Sequence, residues 1–245
     1  MTRIPCRAVL LDAGGVIVLP HGRLVAQALA TAGIHADPAD IRAAHYRAVR
    51  LLDRGSGGYF HALSRALGVE QGRLGAAVEA LADAKSEEVL WSEPTPGALE
   101  TIAALTANRV AVVIVTNSDG HAAENLRNAG ICQVGAGDGR PVTAIIDSAV
   151  VHSEKPDTAI FDEALKAAGV DRRAVVHVGD TLSTDIAGAH RAGIVAIHLD
   201  PTRACRASDH RHIRALPGIW RHITAAPART AAAPRAASGS PPTPR

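Results

Sequence analysis

No stretch of this chain approaches the ~20 uninterrupted apolar residues that a membrane span requires. The N-terminus, Met1-Thr-Arg-Ile-Pro-Cys-Arg7, lacks the apolar segment and small-residue cleavage site of a secretory signal. A cytoplasmic protein without a membrane partner is expected. Cysteine is scarce: Cys6, Cys132 and Cys205 stand far apart and form no metal-type pair, which argues against a disulfide framework and against a zinc site. They read as buried or incidental thiols. No internal repeat is visible. Lysine is nearly missing too, at three of the 26 basic residues, so a lysine at a special position carries information.

Acidic residues are nearly absent from residues 201 to 245, which hold eight Arg and one acid, leaving 18 basic against 23 acidic residues in 1 to 200. The overall charge of +2 therefore hides a mildly acidic folded part. That balance argues against nucleic acid as a partner and suits a protein that gathers carboxylates around a cation. With 245 residues and 47% hydrophobic content, the chain can build a packed core, and disorder of the whole is excluded.

Apolar runs without alternation recur at Ala8 to Leu11, Val110 to Val115, Ala144 to Ile146, Ala174 to Val178 and Ile194 to Leu199. Such runs are strands buried on both faces. Between them lie helical stretches at Pro96 to Ala107, His121 to Ala129, Thr158 to Ala168 and Ser183 to Ala192, the last three followed by a glycine stop. This alternation predicts an α/β fold, a parallel sheet with helices on both faces, over residues 1–20 and 93–224.

Residues 21–92 break the rhythm with helical patterns at Arg23 to Ala32, Pro38 to Leu52, Tyr59 to Leu67 and Arg73 to Leu90. They predict an inserted α-helical cap subdomain whose ends lie close together, one after Asp12 and the other near Trp91 to Pro96. Residues 225–245 are almost entirely Ala, Pro, Arg, Ser, Thr and Gly and are expected to form a disordered tail.

Chemistry-bearing residues fall at the strand ends. Asp12 ends the first apolar run and is followed by Ala13-Gly-Gly15, either as an ordinary turn cap or as a carboxylate at the crevice where open α/β sheets bind ligands. Thr116-Asn-Ser118 ends the second run, where hydroxyls and N–H groups at a helix start suit phosphate oxygens. Lys155 precedes Pro156, which is expected to open a helix. A compact ammonium rather than a guanidinium fork fits this place, as does a plain solvated lysine. The run Val175-Val-His-Val-Gly-Asp-Thr-Leu-Ser-Thr-Asp185 delivers Asp180 at a strand end and Asp185 one turn later. Two carboxylates so placed call for a counter-charge, and a hard divalent cation supplies it.

Asp12, Thr116, Lys155-Pro156 and Gly179-Asp180 with Asp185 are similar, in order and spacing, to the four motifs of the haloacid dehalogenase-like (HAD) hydrolases. The match spans residues 7 to about 200. The insertion resembles the helical cap of the subfamily whose cap lies between the first and second motifs. The resemblance implies a Rossmann-like core with the first strand central and a phosphatase acting on a small phosphorylated metabolite. It gives Asp12 the role of nucleophile, with Thr116 and Lys155 also catalytic. Thr116, Asn117 (through its backbone N–H) and Lys155 would bind the phosphoryl group. Asp12, the Gly14 carbonyl, Asp180 and Asp185 would hold Mg²⁺, Asp185 directly or through water.

At Gly14 the pattern departs, because phosphatases of the family usually have a second Asp there as acid and base. Glycine cannot transfer a proton, a function worth ~10²- to 10⁴-fold. Three accounts follow: a substrate with a good leaving group, a proton donor from the cap such as His21 or His61, or a protein that binds a phosphorylated ligand and turns it over poorly. Metal-independent 2-haloacid hydrolysis is the other catalytic reading. Arg23, Tyr46, Arg47, Arg50 and Tyr59 in the cap either face a substrate or simply pack.

Overall fold

The computed structural model describes residues 2–55, 57–85 and 90–226. Six parallel strands form the central sheet, in the order Arg211–Ile213, Val195–Leu199, Val175–Gly179, Ala8–Leu11, Ala111–Thr116 and Ala144–Asp147. The first long strand of the chain is therefore central, flanked by strands that arrive about a hundred or more residues later. Its side chains alternate between two layers. Val9 and Leu11 point into one with Val112, Ile114, Val176 and Val178, and Ala8 and Leu10 point into the other with Val113, Val115 and Val175. Both layers are covered, by the helix Ala98–Ala107 on one side and by Thr158–Ala168 and Ala187–Arg191 on the other. Two-sided burial is the reason the strands read as continuous apolar runs.

Register sets the level of the functional residues. Leu11 pairs with Ile114 on one neighbour and Val178 on the other, and the Asp12 N–H donates to the Val178 carbonyl at 2.9 Å. Asp12, Thr116 and Asp180 consequently leave the sheet at one end, side by side.

Among the described residues, four α-helices, Gly22–Thr31, Ile41–Leu52, Tyr59–Ala66 and Leu74–Lys85, occupy the inserted region. They close on a core of their own built from Val25, Leu29, Ile41, Ala48, Leu63 and Leu81. The chain enters and leaves them through two short antiparallel strands, Val18–Pro20 and Trp91–Pro94, with Leu19 opposite Glu93. Strands of three or four residues leave no periodicity in a sequence, so this pair was not foreseen.

Element ends differ from expectation where local hydrogen bonding decides them. The helix expected from Pro96 starts at Ala98, after Gly97 at φ 79°. The helix expected to open at Pro156 starts at Thr158, because the Asp157 side chain caps it by accepting from the Ala159 N–H at 3.2 Å. The stretch beginning near Ser183 starts as a π-helical turn, Leu182–Ile186, before the α-helix Ala187–Arg191. The helix expected to reach Leu90 is described to Lys85, and residues 86–89 lie outside the described residues. Ala225 ends a short strand, Ile223–Ala225, paired with Ile4–Cys6, so the expected tail begins too early at 225. Its remainder from 227 lies outside the described residues. No described helix is long and apolar enough to cross a membrane.

Candidate active site

Lys155 is the hub. Its Nζ donates to Asp12 Oδ1 at 2.5 Å and to Asp185 Oδ1 at 2.7 Å, with the lysine side chain 3% exposed. Asn117 holds it there from the next strand end. The Asn117 Nδ2 donates to the Lys155 carbonyl at 2.9 Å, and the Lys155 N–H donates to Asn117 Oδ1 at 2.7 Å. The Asn117 side chain thus clamps the lysine-bearing loop.

Asp185 is supported from three directions: Lys155, the His177 Nε2 at 3.1 Å and the Thr181 N–H at 3.1 Å. An ionised carboxylate only accepts, so the His177 proton sits on Nε2. Burial opposes ionisation of Asp185, but the Lys155 ammonium and the His177 N–H hold its carboxyl below the ordinary range. The π-helical turn and Gly179 make this approach possible, since a Cβ on Gly179 would collide with the Asp185 side chain.

Asp12 is pushed the other way, up to about 8, by burial and by the Asp185 and Asp180 charges, against the pull of Lys155. Burial works against the Lys155 charge, yet Asp12 and Asp185 together raise its pKa above the ordinary lysine range. Three buried carboxylates, Asp12, Asp180 and Asp185, have oxygens within 4.8 Å of one another. One ammonium cannot neutralise all three. The all-oxygen donor set and its excess negative charge fit a hard divalent ion such as Mg²⁺.

A cavity of about 590 Å³ opens over this centre, lined by Asp12, Gly14, Thr116, Asn117 and Lys155 from the sheet end and by Tyr59, Phe60, His61 and Trp91 from the opposite side. That size suits a small metabolite. Three N–H groups ahead of and at the start of the helix Ala122–Asn128 are taken up within the protein. Asp147 accepts from Gly120 and Ala122 at 3.1 Å, and Ser148 Oγ accepts from the Ser118 N–H at 3.0 Å. Thr116 and Lys155 line the cavity together with Asp12.

Several contacts join the helical insertion to the strand ends, with Tyr46 and Tyr59 turned inward and His45 and Asp53 beside them. His45 reaches from the helical insertion to Asp180, its Nε2 donating to Oδ2 at 3.1 Å, while its Nδ1 accepts from the Tyr59 hydroxyl at 2.8 Å. The Tyr46 hydroxyl donates to the Gly15 carbonyl at 2.8 Å. Gly15, at φ 75°, must be glycine, because a Cβ there would strike both Asp180 and His45. Asp53 accepts from the Leu182 and Ser183 N–H groups and from the Ser183 hydroxyl at 2.8 to 3.1 Å, tying the insertion to the turn before Asp185. None of these contacts has a short-range sequence signal.

Of the candidate proton donors, His61 lines the cavity with a buried Nδ1 that has no partner, whereas His21 sits before the helix Gly22–Thr31 and is not among the lining residues. Arg23, Arg47 and Arg50 are exposed, and Arg47 is spent on the Ala66 carbonyl.

The chain matches the family model of the haloacid dehalogenase-like hydrolases over residues 6–193. It is 42% identical over 55 residues to the glyceraldehyde 3-phosphate phosphatase of Methanopyrus kandleri, across 22% of this chain and 24% of that protein. It is 34% identical over 144 residues to the pyrimidine 5'-nucleotidase YjjG of Escherichia coli, across 58% of each. The chain thus covers less than two thirds of either relative. Among solved structures, a magnesium-bound YfnB from Bacillus subtilis superposes with a TM-score of 0.62 at 20% identity, covering 90% of this chain and 98% of that one. A 2-haloacid dehalogenase from Pseudomonas syringae pv. Tomato superposes at 0.53 and 22% identity, covering 88% and 97%. Likeness at these identities establishes the fold and leaves the choice between phosphate and halide chemistry to the site.

Proposed function

The chain belongs to the haloacid dehalogenase-like hydrolases, and from that membership we propose that it is a Mg²⁺-dependent phosphatase of a small phosphorylated metabolite, with the helical insertion as its cap. The observation that carries the reading is the gathering of three buried carboxylates, Asp12, Asp180 and Asp185, of which Asp12 and Asp185 share the Lys155 ammonium, at the floor of one cavity. A metal-independent dehalogenase has no need of that surplus of carboxylates.

Asp12, Asp180 and the Gly14 carbonyl would hold Mg²⁺, with Asp185 behind them. When bound, the ion supplies positive charge to the phosphoryl oxygens and keeps Asp12 ionised. An Asp12 oxygen attacks phosphorus, an O–P bond forms, and the bond from phosphorus to the leaving oxygen breaks. Lys155 keeps Asp12 oriented and offsets charge on the transferred group, and the Thr116 hydroxyl donates to it. Water then attacks the aspartyl-phosphate at phosphorus, releasing phosphate and restoring Asp12. Tyr59, Trp91 and the rest of the cap keep bulk water from the site.

Gly14 provides no proton for the leaving oxygen. The favoured substrates are therefore phosphates whose leaving group departs as a stable anion, such as acyl phosphates or anomeric sugar phosphates. His61 is the cavity residue placed to assist others. The test is phosphate release across sugar phosphates, acyl phosphates and nucleotides, with and without Mg²⁺, for wild type and Asp12→Asn. Release that needs Mg²⁺ and disappears in Asp12→Asn supports the reading. Undiminished release in the variant, or halide release from 2-chloropropionate without metal, overturns it.

A further inference from the structure

A second cluster of metal-ligating side chains lies toward the outer edge of the sheet and shares no ligand with the carboxylate centre. His198 on the strand Val195–Leu199 is the direct neighbour of His212 on the edge strand Arg211–Ile213. His210 lies two residues before His212, which at strand periodicity returns it to the same face. The loop between the strands brings in Cys205, whose Sγ is 3.5 Å from His210 Nε2. One ligand atom from each of the four lies within 4.8 Å of every other.

The hydrogen bonds prepare these groups. His198 Nε2 donates to the Asp180 carbonyl at 3.1 Å, His212 Nε2 donates to the Ala207 carbonyl at 2.9 Å, and His210 Nδ1 donates to Asp209 Oδ1 at 2.7 Å. Each imidazole thus carries its proton on the nitrogen that faces an oxygen, leaving a lone pair on the other. This is the outer-shell arrangement that orients metal-binding histidines. His198 is 6% exposed, and its Nδ1 is buried with no hydrogen-bond partner among the described residues. Asp200 shapes the loop that presents the thiol, accepting from the Thr202 hydroxyl at 2.7 Å and from the Cys205 N–H at 2.8 Å.

We infer that His198, Cys205, His210 and His212 form a second metal site, for Zn²⁺ or a like borderline-soft divalent ion, distinct from the carboxylate centre. Three imidazoles and one thiolate suit a tetrahedral ion of this class and are foreign to Mg²⁺. In such a site the ligand atoms stand roughly 3.3–3.8 Å apart, so loading draws the group in by about an ångström. Counting cysteines passes over this site, because three of its four ligands are histidines. Through His198 it also abuts the backbone of Asp180, so the ion would brace that residue from behind.

The full chain, purified without immobilised-metal chromatography and stripped by chelator, is loaded with Zn²⁺ and desalted, and in parallel titrated with Co²⁺. Wild type and Asp12→Asn should each retain about one equivalent of Zn²⁺. The Co²⁺ form should show intense tetrahedral d–d bands and a near-ultraviolet thiolate-to-cobalt charge-transfer band. Cys205→Ser should lose the charge-transfer band. His210→Gln/His212→Gln should weaken Co²⁺ binding at least ~10-fold, with circular dichroism reporting the fold of each variant. The wild-type spectrum decides even where a variant fails to fold. A weak octahedral spectrum, no retained Zn²⁺, or retention abolished by Asp12→Asn overturns the proposal.

Discussion

The Trp91 ring stands where a side chain at position 14 would project: a Cβ placed on Gly14 lies 3.3 Å from Trp91 Cζ3 and 3.6 Å from Cη2. The residue that would carry an acid and the ring that fills its space come from opposite ends of the helical insertion. The single variant Gly14→Asp therefore crowds the indole, which has to give by a few tenths of an ångström, and should gain little on an alkyl phosphate such as glycerol phosphate. Gly14→Asp/Trp91→Leu should exceed Trp91→Leu by ~10-fold or more in kcat/KM, part of the ~10²- to 10⁴-fold that acid–base help supplies. Equal rates for the two would remove position 14 as the limit on rate.

Lys155→Met leaves Asp12 and Asp185 buried without their cation. In chelator its unfolding free energy should fall by about 3–5 kcal/mol, as when one partner of a buried ion pair is removed. Saturating Mg²⁺ should restore much of that stability but none of the activity, since a lysine positions Asp12 in a way a free ion does not. Urea unfolding with and without Mg²⁺, beside a phosphate-release assay, checks both halves.

Stability should couple to Mg²⁺ and pH through Asp12. Its pKa is raised from 3.8 in the unfolded chain to about 8 in the fold, by burial first and then by Asp185 and Asp180. The stability owed to this proton is complete below the unfolded value and is lost as pH rises through the folded one. Mg²⁺ displaces the proton, so the rise in Tm that it produces should be larger near pH 8 than near pH 6. In Asp12→Asn that pH dependence should flatten. A Mg²⁺-induced rise in Tm equal at both pH values in wild type would contradict the assignment.

Asp53 fastens the helical insertion to the turn before Asp185 with three hydrogen bonds. Asp53→Ala should cost about 1–2 kcal/mol after allowance for its partial exposure and should raise KM by loosening the insertion over the cavity. Asp53→Asn, which keeps an acceptor oxygen, should recover part of both. Unchanged KM in Asp53→Ala would show that this contact does not govern closure.

What the sequence determined by itself is the part written in local pattern. Buried parallel strands demand continuous apolar runs, glycine stops end helices, and a polar residue that closes an apolar run stands out, so the parallel core, the helical insertion, and the places of Asp12, Thr116, Lys155 and Asp180 at the strand ends were all legible. The tertiary structure decided what depends on contacts between residues far apart. It set Lys155 between Asp12 and Asp185, turned the Asn117 side chain into a clamp, and spent the Gly120 and Ala122 N–H groups on Asp147. It also brought His45 to Asp180 and gathered His198, Cys205, His210 and His212 into one cluster. A lone histidine has no periodicity and a distant partner has no fixed spacing, so such pairings exist only once the sheet order is known.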